Sequence, residues 1–124
     1  MILGIGIDTI EVSRVAKQID GSKGFKERYF SAREIRYCEP KRGRALNYAA
    51  RFAAKEAFFK ALGTGYRGGI SFREVEVVND LLGKPEIVLR GKTKELCRKY
   101  KIRSIHVSLT HIEDHSSAVV ITEG

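Results

Sequence analysis

One acidic residue occupies a position where a helix is expected to bury apolar side chains. At about 100° per residue, Tyr48, Phe52 and Phe59 form one apolar stripe, and Glu56 falls inside it. An ionised carboxylate on a core-facing stripe is costly unless a cation or several hydrogen bonds compensate it. The pattern therefore leaves two interpretations open. Glu56 either forms a buried ion pair with Lys60, or serves as a metal ligand or catalytic acid at the base of a cleft.

A second acid, Asp8, follows the apolar run at residues 2–7. An aspartate at a strand-to-helix junction is usually an N-cap, and the residues from Asp8 to Glu11 fit a capping box. If Asp8 and Glu56 converge, their two carboxylates suffice to hold Mg²⁺, with phosphates and water as the remaining ligands. We treat both acids as candidate metal ligands, because the sequence alone does not bring them together.

The glycines at 4 and 6 resemble the start of a dinucleotide-binding fingerprint. The third glycine is missing, because Thr9 stands in its place, and no acidic residue closes a following strand at the expected distance. We therefore expect Gly4 and Gly6 to permit another backbone segment to approach closely.

Cationic residues surround Glu56 in the sequence and favour an anionic ligand. They could contact phosphate oxygens of such a ligand. The alternative interpretation is an exposed helix flank for Arg51 and Lys55, and a solvated loop for the cluster before the helix. The cations in question are Arg51, Lys55, Lys60 and the cluster Lys41, Arg42 and Arg44.

A third candidate region is the strand at residues 105–109 with its flanks. Alternation places His106, Ser108 and Thr110 on one face, with His111 at the end. A polar strand face in so small a domain is either open to water or lines a site, and these side chains suit phosphate contacts. No Ser-His-Asp or Cys-His arrangement is visible.

These residues must be positioned by a small α+β domain with a mostly antiparallel sheet. Periodicity and turn signals predict strands at 2–7, 72–78, 85–89, 105–109 and 118–121, and helices at 8–19, after Ser31 until Pro40, through 48–60 until Gly63, and at 92–100. The strands at 72–78 and 85–89 are expected to form a hairpin.

Composition limits the class of protein. The chain of 124 residues is 43% apolar, which predicts one domain over 1–124. No run is long enough to span a membrane, no secretory signal is visible, and Cys38 and Cys97 suit a reducing, cytoplasmic compartment. The net charge of +8 predicts an anionic partner, although no interleaved aromatic and basic run favours nucleic acid.

Three segments together resemble the holo-acyl carrier protein synthases, the small bacterial branch of the 4′-phosphopantetheinyl transferases. They are Gly4-Ile5-Gly6-Ile7-Asp8, Arg51-Phe52-Ala53-Ala54-Lys55-Glu56-Ala57 followed by Lys60, and His106-Val107-Ser108-Leu109-Thr110-His111. The resemblance covers almost the whole chain, and Gly63-Thr64-Gly65 also fits. It implies the family's fold, with one long helix and several short ones packed on the sheet.

The resemblance also implies an activity: Mg²⁺-dependent transfer of 4′-phosphopantetheine from coenzyme A to a serine of apo-acyl carrier protein, in fatty acid biosynthesis. Adenosine 3′,5′-bisphosphate is released. Asp8 and Glu56 match the family's metal ligands and, with Lys60, its catalytic group. A homotrimer is implied, with coenzyme A in clefts between subunits. The positions expected to contact coenzyme A are Arg42, Arg44, Arg51, Lys55, Lys60, Gly63, Gly65, Thr110 and His111.

The docking surface for the carrier protein departs from the family's pattern. Arg14 matches a family position, but Gly21 and Gly24 stand where arginines are common. We expect Lys17, Lys23 and Arg28 to supply positive charge there instead. Two other classes of function stay open: a small basic nucleic-acid-binding module with a structural Glu56 ion pair, and a degenerate scaffold that binds carrier protein without turnover.

Overall fold

The computed structural model describes residues 1–63 and 69–124 and confirms the α+β class. An antiparallel three-stranded sheet has the order β1-β5-β4, and β2 and β3 form a separate antiparallel pair. Along the chain the elements are β1 (Ile2–Glu11), α1 (Val12–Gly21), α2 (Phe25–Tyr29), α3 (Ala32–Cys38), α4 (Arg44–Leu62), a 3₁₀ turn (Phe72–Glu74), β2 (Val75–Asn79), β3 (Pro85–Leu89), α5 (Gly91–Lys99), β4 (Ser104–His111) and β5 (His115–Glu123).

The first strand is longer than the sequence predicted, and Asp8 is not a helix cap. β1 continues to Glu11 because it pairs with β5 along its length, with Asp8 opposite Ala118. Helix α1 begins only at Val12, and its N-cap, Glu11, makes no side-chain capping bond. Long-range pairing thus outweighs the local capping pattern, so the N-cap interpretation of Asp8 is wrong.

Gly4 and Gly6 are the points where β1 touches α4, as predicted. A Cβ atom at Gly4 would lie 2.0 Å from the carbonyl oxygen of Ala61, and one at Gly6 would lie 1.9 Å from that of Ala57. Only glycine permits this approach between strand and helix. The contact fixes the height of β1 on α4, and hence the position of Asp8 relative to the helix.

Helix α4 is the central element of the domain. It packs against the three-stranded sheet on one side and against α1, α3 and β2 on others, and residues such as Ala53, Ala57 and Phe58 are fully buried. It ends at Gly63, whose φ of 74° is left-handed and whose N–H donates to the carbonyl of Lys60. Because α4 is covered on several sides, the alternative interpretation of Arg51 and Lys55 as an exposed helix flank is wrong: both side chains are buried.

The remaining elements follow local signals closely. Ser31 and Glu34 form the predicted capping box at α3, and β2 pairs with β3 as the predicted hairpin. The five-residue helix α2 lies where the sequence indicated no element. Within the described residues, no helix combines the length and apolar character that crossing a bilayer requires.

Candidate active site

The two candidate acids line one open cavity of about 610 Å³. Asp8 comes from β1 and Glu56 from α4, and Lys60 lines the same cavity one helical turn beyond Glu56. The cavity lies between the strand, α4 and the segment that carries α1 and α2. Both acids therefore line the same cavity, and their joint binding of a metal ion stays a prediction.

Asp8 and Lys60 are in direct contact. The Nζ of Lys60 donates to Oδ1 of Asp8 at 3.0 Å and to the carbonyl oxygen of Ile7 at 3.0 Å. The Asp8 side chain is 16% exposed and that of Lys60 is 55% exposed. The carboxylate is therefore held at the cavity wall, while more than half of the Lys60 side chain stays exposed to solvent.

Glu56 shares a helix face with two other residues of the cavity. Phe52, Glu56 and Lys60 follow each other at intervals of four residues, which aligns them along one side of α4. Glu56 is half-buried, in contrast to the fully buried Ala57 beside it. Of the stripe predicted around Glu56, Tyr48 and Phe59 are buried in the core and Phe52 lines the cavity. The expectation that the whole stripe faces a cleft is therefore wrong, but the Glu56 carboxylate itself is not sealed in the core.

Basic residues form one rim of this cavity. Arg14 of α1, Lys23 of the following turn and Arg28 of α2 all line it. Lys17 is exposed on α1 but is not a lining residue. Three of the four positions expected to attract the carrier protein thus border the mouth of the cleft that contains Glu56.

Lys55 does not reach this cavity. Its Nζ donates to Oε1 of Glu34 at 2.6 Å and to the carbonyl oxygens of Phe72 and Val75, each at 2.8 Å. Both charged side chains are 0% exposed. Burial lowers the pKa of Lys55 from its ordinary value, against the opposing effect of the Glu34 carboxylate. Since an ammonium has three N–H donors and all are used, the expectation of a direct coenzyme contact is corrected.

The other cations of the helix also lie away from the cavity. Arg51 is buried, donates to Oδ1 of Asn79 at 2.7 Å and lies over the ring of Tyr37. Arg44 is ion-paired with Asp20 and Glu39 at the start of α4. Arg42 is exposed in the turn before the helix.

The polar face of β4 was correctly predicted. His106, Ser108 and Thr110 are exposed along one face, and His106 contacts Glu123 of the neighbouring strand at 2.5 Å. Thr110 and His111 are exposed at the far end of β4 and do not line the cavity. Gly63 ends α4, and Gly65 lies outside the described residues.

Sequence reasoning missed an aromatic wall next to Glu56. A second cavity of about 510 Å³ adjoins the first and is lined by Tyr29, Phe52, Glu56 and Phe72, among others. The ring of Phe72 stacks on Phe52 at a centroid distance of 5.4 Å and meets Tyr29 edge-on at 5.0 Å. The spacing of Phe25 and Tyr29 at one helical turn was the available signal, but the short helix that carries them was not predicted.

The oxygen donors at Glu56 suit a hard divalent cation whose remaining coordination positions are filled by a bound ligand and water. Among residues 1–63 and 69–124, no group of three or more His, Cys, Asp and Glu side chains could hold a metal ion. Asp8 and Glu56 offer oxygen donors only, in a cavity with room for further oxygens. Mg²⁺ bound by one or two carboxylates and by substrate phosphates has this requirement, so the residues fit it.

Fold and site define an α+β protein with a carboxylate–lysine cleft open to an anionic ligand. Residues 4–120 match the sequence pattern of the family described as the 4′-phosphopantetheinyl transferase superfamily. A holo-acyl-carrier-protein synthase of Trichlorobacter lovleyi is 48% identical over 124 residues, covering 99% of this chain and 98% of the relative. The chain belongs to the 4′-phosphopantetheinyl transferase superfamily.

Solved structures agree with this assignment. The crystal structure of the synthase from Neisseria meningitidis superimposes with a TM-score of 0.92 at 34% identity, covering 100% of both chains. The Helicobacter pylori synthase, solved in complex with coenzyme A, has a TM-score of 0.84 at 32% identity and covers 96% of this chain and 99% of its own. The first comparison extends over the whole chain and so includes the elements that carry Asp8, Glu56 and Lys60.

Proposed function

We propose that this protein transfers the 4′-phosphopantetheine group of coenzyme A to a serine of apo-acyl carrier protein, releasing adenosine 3′,5′-bisphosphate. The observation that carries the proposal is the convergence of Asp8, Glu56 and Lys60 on one cavity of about 610 Å³. Full-length relatives named holo-acyl-carrier-protein synthase support the same reaction. We also predict that the modified carrier protein serves fatty acid biosynthesis and that the enzyme is cytoplasmic.

In this proposal Asp8 and Glu56 hold Mg²⁺, which would neutralise the pyrophosphate of coenzyme A. Lys60, anchored on Asp8 at 3.0 Å, is placed to stabilise charge on the leaving phosphate. Glu56 is the carboxylate suited to accept the proton of the attacking serine, directly or through water. The reacting phosphorus thereby loses its bond to the oxygen that leaves with adenosine 3′,5′-bisphosphate and gains a bond to the serine oxygen of the carrier protein.

The basic rim suits an acidic carrier protein. Arg14, Lys23 and Arg28 border the cleft, so a carrier docked on them would present its serine towards Glu56. Positive charge at the rim also speeds encounter with both anionic substrates and makes their binding sensitive to salt.

We further propose a homotrimer assembled through the outer face of the three-stranded sheet. Leu3, Ile5 and Ile7 are 50%, 66% and 66% exposed on β1, and Ile5 and Ile7 pair with Ile121 and Val119 of β5. The exposed apolar side chains of β1 mark an interaction surface, which continues into the polar face of β4 at His106, Ser108 and Thr110. Thr110 also lies on this face, because it pairs with Ser117, which in turn pairs with Thr9 of β1. The coenzyme contacts expected of Thr110, His111, Arg42 and Arg44 stay predictions, which the homotrimer would allow a neighbouring chain to fulfil.

Mass spectrometry of the carrier protein tests the reaction directly. Apo-carrier incubated with the enzyme, coenzyme A and Mg²⁺ should gain the mass of one phosphopantetheine arm, and chelation of Mg²⁺ should prevent the gain. An unchanged carrier would contradict the proposal. Thermal stabilisation by RNA or DNA, without any response to coenzyme A and Mg²⁺, would indicate the nucleic-acid-binding module instead.

Sedimentation measures the assembly independently. The wild-type chain should sediment with three times its mass of 13.9 kDa, and Ile5→Lys should sediment as a monomer. A monomeric wild-type protein would contradict the homotrimer but leave the chemistry to be judged by the carrier assay.

A further inference from the structure

Lys55 and Glu34 form a sealed charged pair beside the cleft, and every polar atom of the pair is used. Besides Lys55, Glu34 accepts the backbone N–H of Ser31 on Oε1 at 3.0 Å and that of Val77 on Oε2 at 3.0 Å. The three donors of Lys55 reach Glu34, Phe72 and Val75. The pair therefore joins α4, α3, β2 and the 3₁₀ turn.

Stability alone does not account for charge at this place. Taking two ions out of water is costly, and well-packed apolar residues often replace a buried pair with no loss of stability. The pair instead fixes the orientation of the backbone, because the ammonium of Lys55 holds two specific carbonyl groups at 2.8 Å. One of these carbonyls belongs to Phe72.

The ring of Phe72 links the sealed pair to the reaction cleft. It stacks on Phe52 with an interplanar angle of 16° and meets Phe59 edge-on at 4.9 Å. Phe72 and Phe52 line the aromatic cavity together with Glu56. Lys55 thus holds the carbonyl group of Phe72, and the ring of Phe72 forms part of the cavity wall beside Glu56.

We propose that Lys55 and Glu34 are positioning residues for the transfer reaction and act through Phe72, whose ring they hold in the aromatic wall beside Glu56. The inference rests on the proposed function. Since the coenzyme phosphates are expected at Asp8 and Lys60, a displaced wall should disturb the alignment of the reacting groups more than it disturbs coenzyme binding.

The test uses the double variant Lys55→Met/Glu34→Leu, which removes both charges together and so avoids an unpaired buried ion. We expect kcat to fall about tenfold to a hundredfold while KM for coenzyme A changes little. The matched control is Arg90→Met/Glu76→Leu, which removes another cation–carboxylate pair, joined at 2.8 Å between Glu76 of β2 and Arg90 before α5. Neither residue lines the two cavities at Glu56. The control should keep the wild-type kcat.

Coupling to Phe72 separates positioning from general support of the fold. Phe72→Leu should lower kcat by a similar factor, and adding it to the double variant should produce little further loss. Full additivity of the two effects, or a wild-type kcat in the folded double variant, would overturn the inference. If the double variant does not fold, Phe72→Leu alone decides, because an unchanged kcat would remove the proposed route of action.

These outcomes are distinct from failure of the proposed function. A wild-type enzyme that leaves the carrier unmodified refutes the reaction itself. An active wild-type enzyme with an equally active double variant refutes only the role of Lys55 and Glu34.

Discussion

Helix α4 carries two lysines five residues apart, and each contacts a carboxylate from another element. Lys60 meets Asp8 at 3.0 Å with its own side chain 55% exposed, whereas Lys55 meets Glu34 at 2.6 Å with both side chains at 0%. The groups are chemically the same, but one pair is open to a ligand and the other is saturated by protein. Access to water, rather than residue type, separates a binding site from a structural link.

The largest loss of stability should follow from removing one partner of the sealed pair formed by Lys55 and Glu34. Lys55→Met leaves the Glu34 carboxylate buried and uncompensated, and we expect it to lower the free energy of unfolding by about 3–5 kcal/mol. Urea denaturation followed by circular dichroism measures the change. The double variant Lys55→Met/Glu34→Leu should recover part of the loss, because it removes the unpaired charge but not the need of the backbone for partners. The N–H groups of Ser31 and Val77 and the carbonyls of Phe72 and Val75 lose the bonds they make to the pair. A double variant as unstable as the single one would assign the loss to these backbone groups.

The open site should show the reverse behaviour, with activity lost and stability kept. Glu56→Gln and Asp8→Asn retain shape but remove a charged oxygen donor, so we expect turnover to fall about a hundredfold or more. Their thermal unfolding without ligand should match the wild type. Coenzyme A with Mg²⁺ should stabilise the wild type and fail to stabilise either variant. Stabilisation of Glu56→Gln equal to that of the wild type would argue against a metal-ligand role.

Lys60 gives the direct counterpart of Lys55. Because the Lys60 side chain is 55% exposed, Lys60→Met should change the free energy of unfolding far less than Lys55→Met, by about 1 kcal/mol. Turnover should nevertheless drop about tenfold to a hundredfold, since the cation proposed to face the phosphates is gone. Urea denaturation and the carrier assay on one protein preparation provide both values. A large loss of stability with normal turnover would reverse the distinction between the two lysines.

A third carboxylate, that of Glu39, is neither sealed like Glu34 nor part of the cleft, and we expect it to give the smallest of these changes in stability. The hydroxyl of Tyr48 donates to Oε2 of Glu39 at 2.6 Å, and this bond, with Lys26 and Arg44 nearby, lowers the pKa of Glu39 below its ordinary value of 4.5. The resulting stability is complete above that ordinary value and is lost as pH falls through the lowered pKa.

Unfolding free energies at neutral pH and at about pH 3 test this contribution. Tyr48→Phe removes the main cause of the shift, so its stability should decline less on acidification than that of the wild type. Equal acid sensitivity of the two proteins would assign the effect to other groups, such as Glu76. Burial raises the pKa of Glu76, but hydrogen bonds from Ser31 and Arg90 outweigh burial and lower it overall.

The features that the sequence predicted correctly depend on local rules. The capping box at Ser31, the end of α4 at Gly63 and the exposed face of β4 each follow from residue types a few positions apart. Helical periodicity placed Glu56 on the same side of α4 as Phe52, and both line the cavity, but it left open whether Glu56 is a buried ion pair or a ligand.

The features that were missed depend on distant partners. Asp8 fitted a capping box, but pairing of β1 with β5 placed it in a strand. Lys55 looked like a surface residue until α3 brought Glu34 to it, across 21 positions of sequence. Neither partner could be identified from periodicity, since that pattern describes one element at a time.

Parity along β1 has one more consequence. Gly4, Gly6 and Asp8 occupy even positions on the side towards α4, and Leu3, Ile5 and Ile7 occupy odd positions on the other side. Since neighbouring residues of a strand point to opposite faces, a pairing slip of one residue would drive isoleucines into the helix and carry the carboxylate out of the cleft. The register that allows β1 to pack on α4 is therefore the same register that places Asp8 in the cleft, so a chain with shifted β1 pairing would lose both.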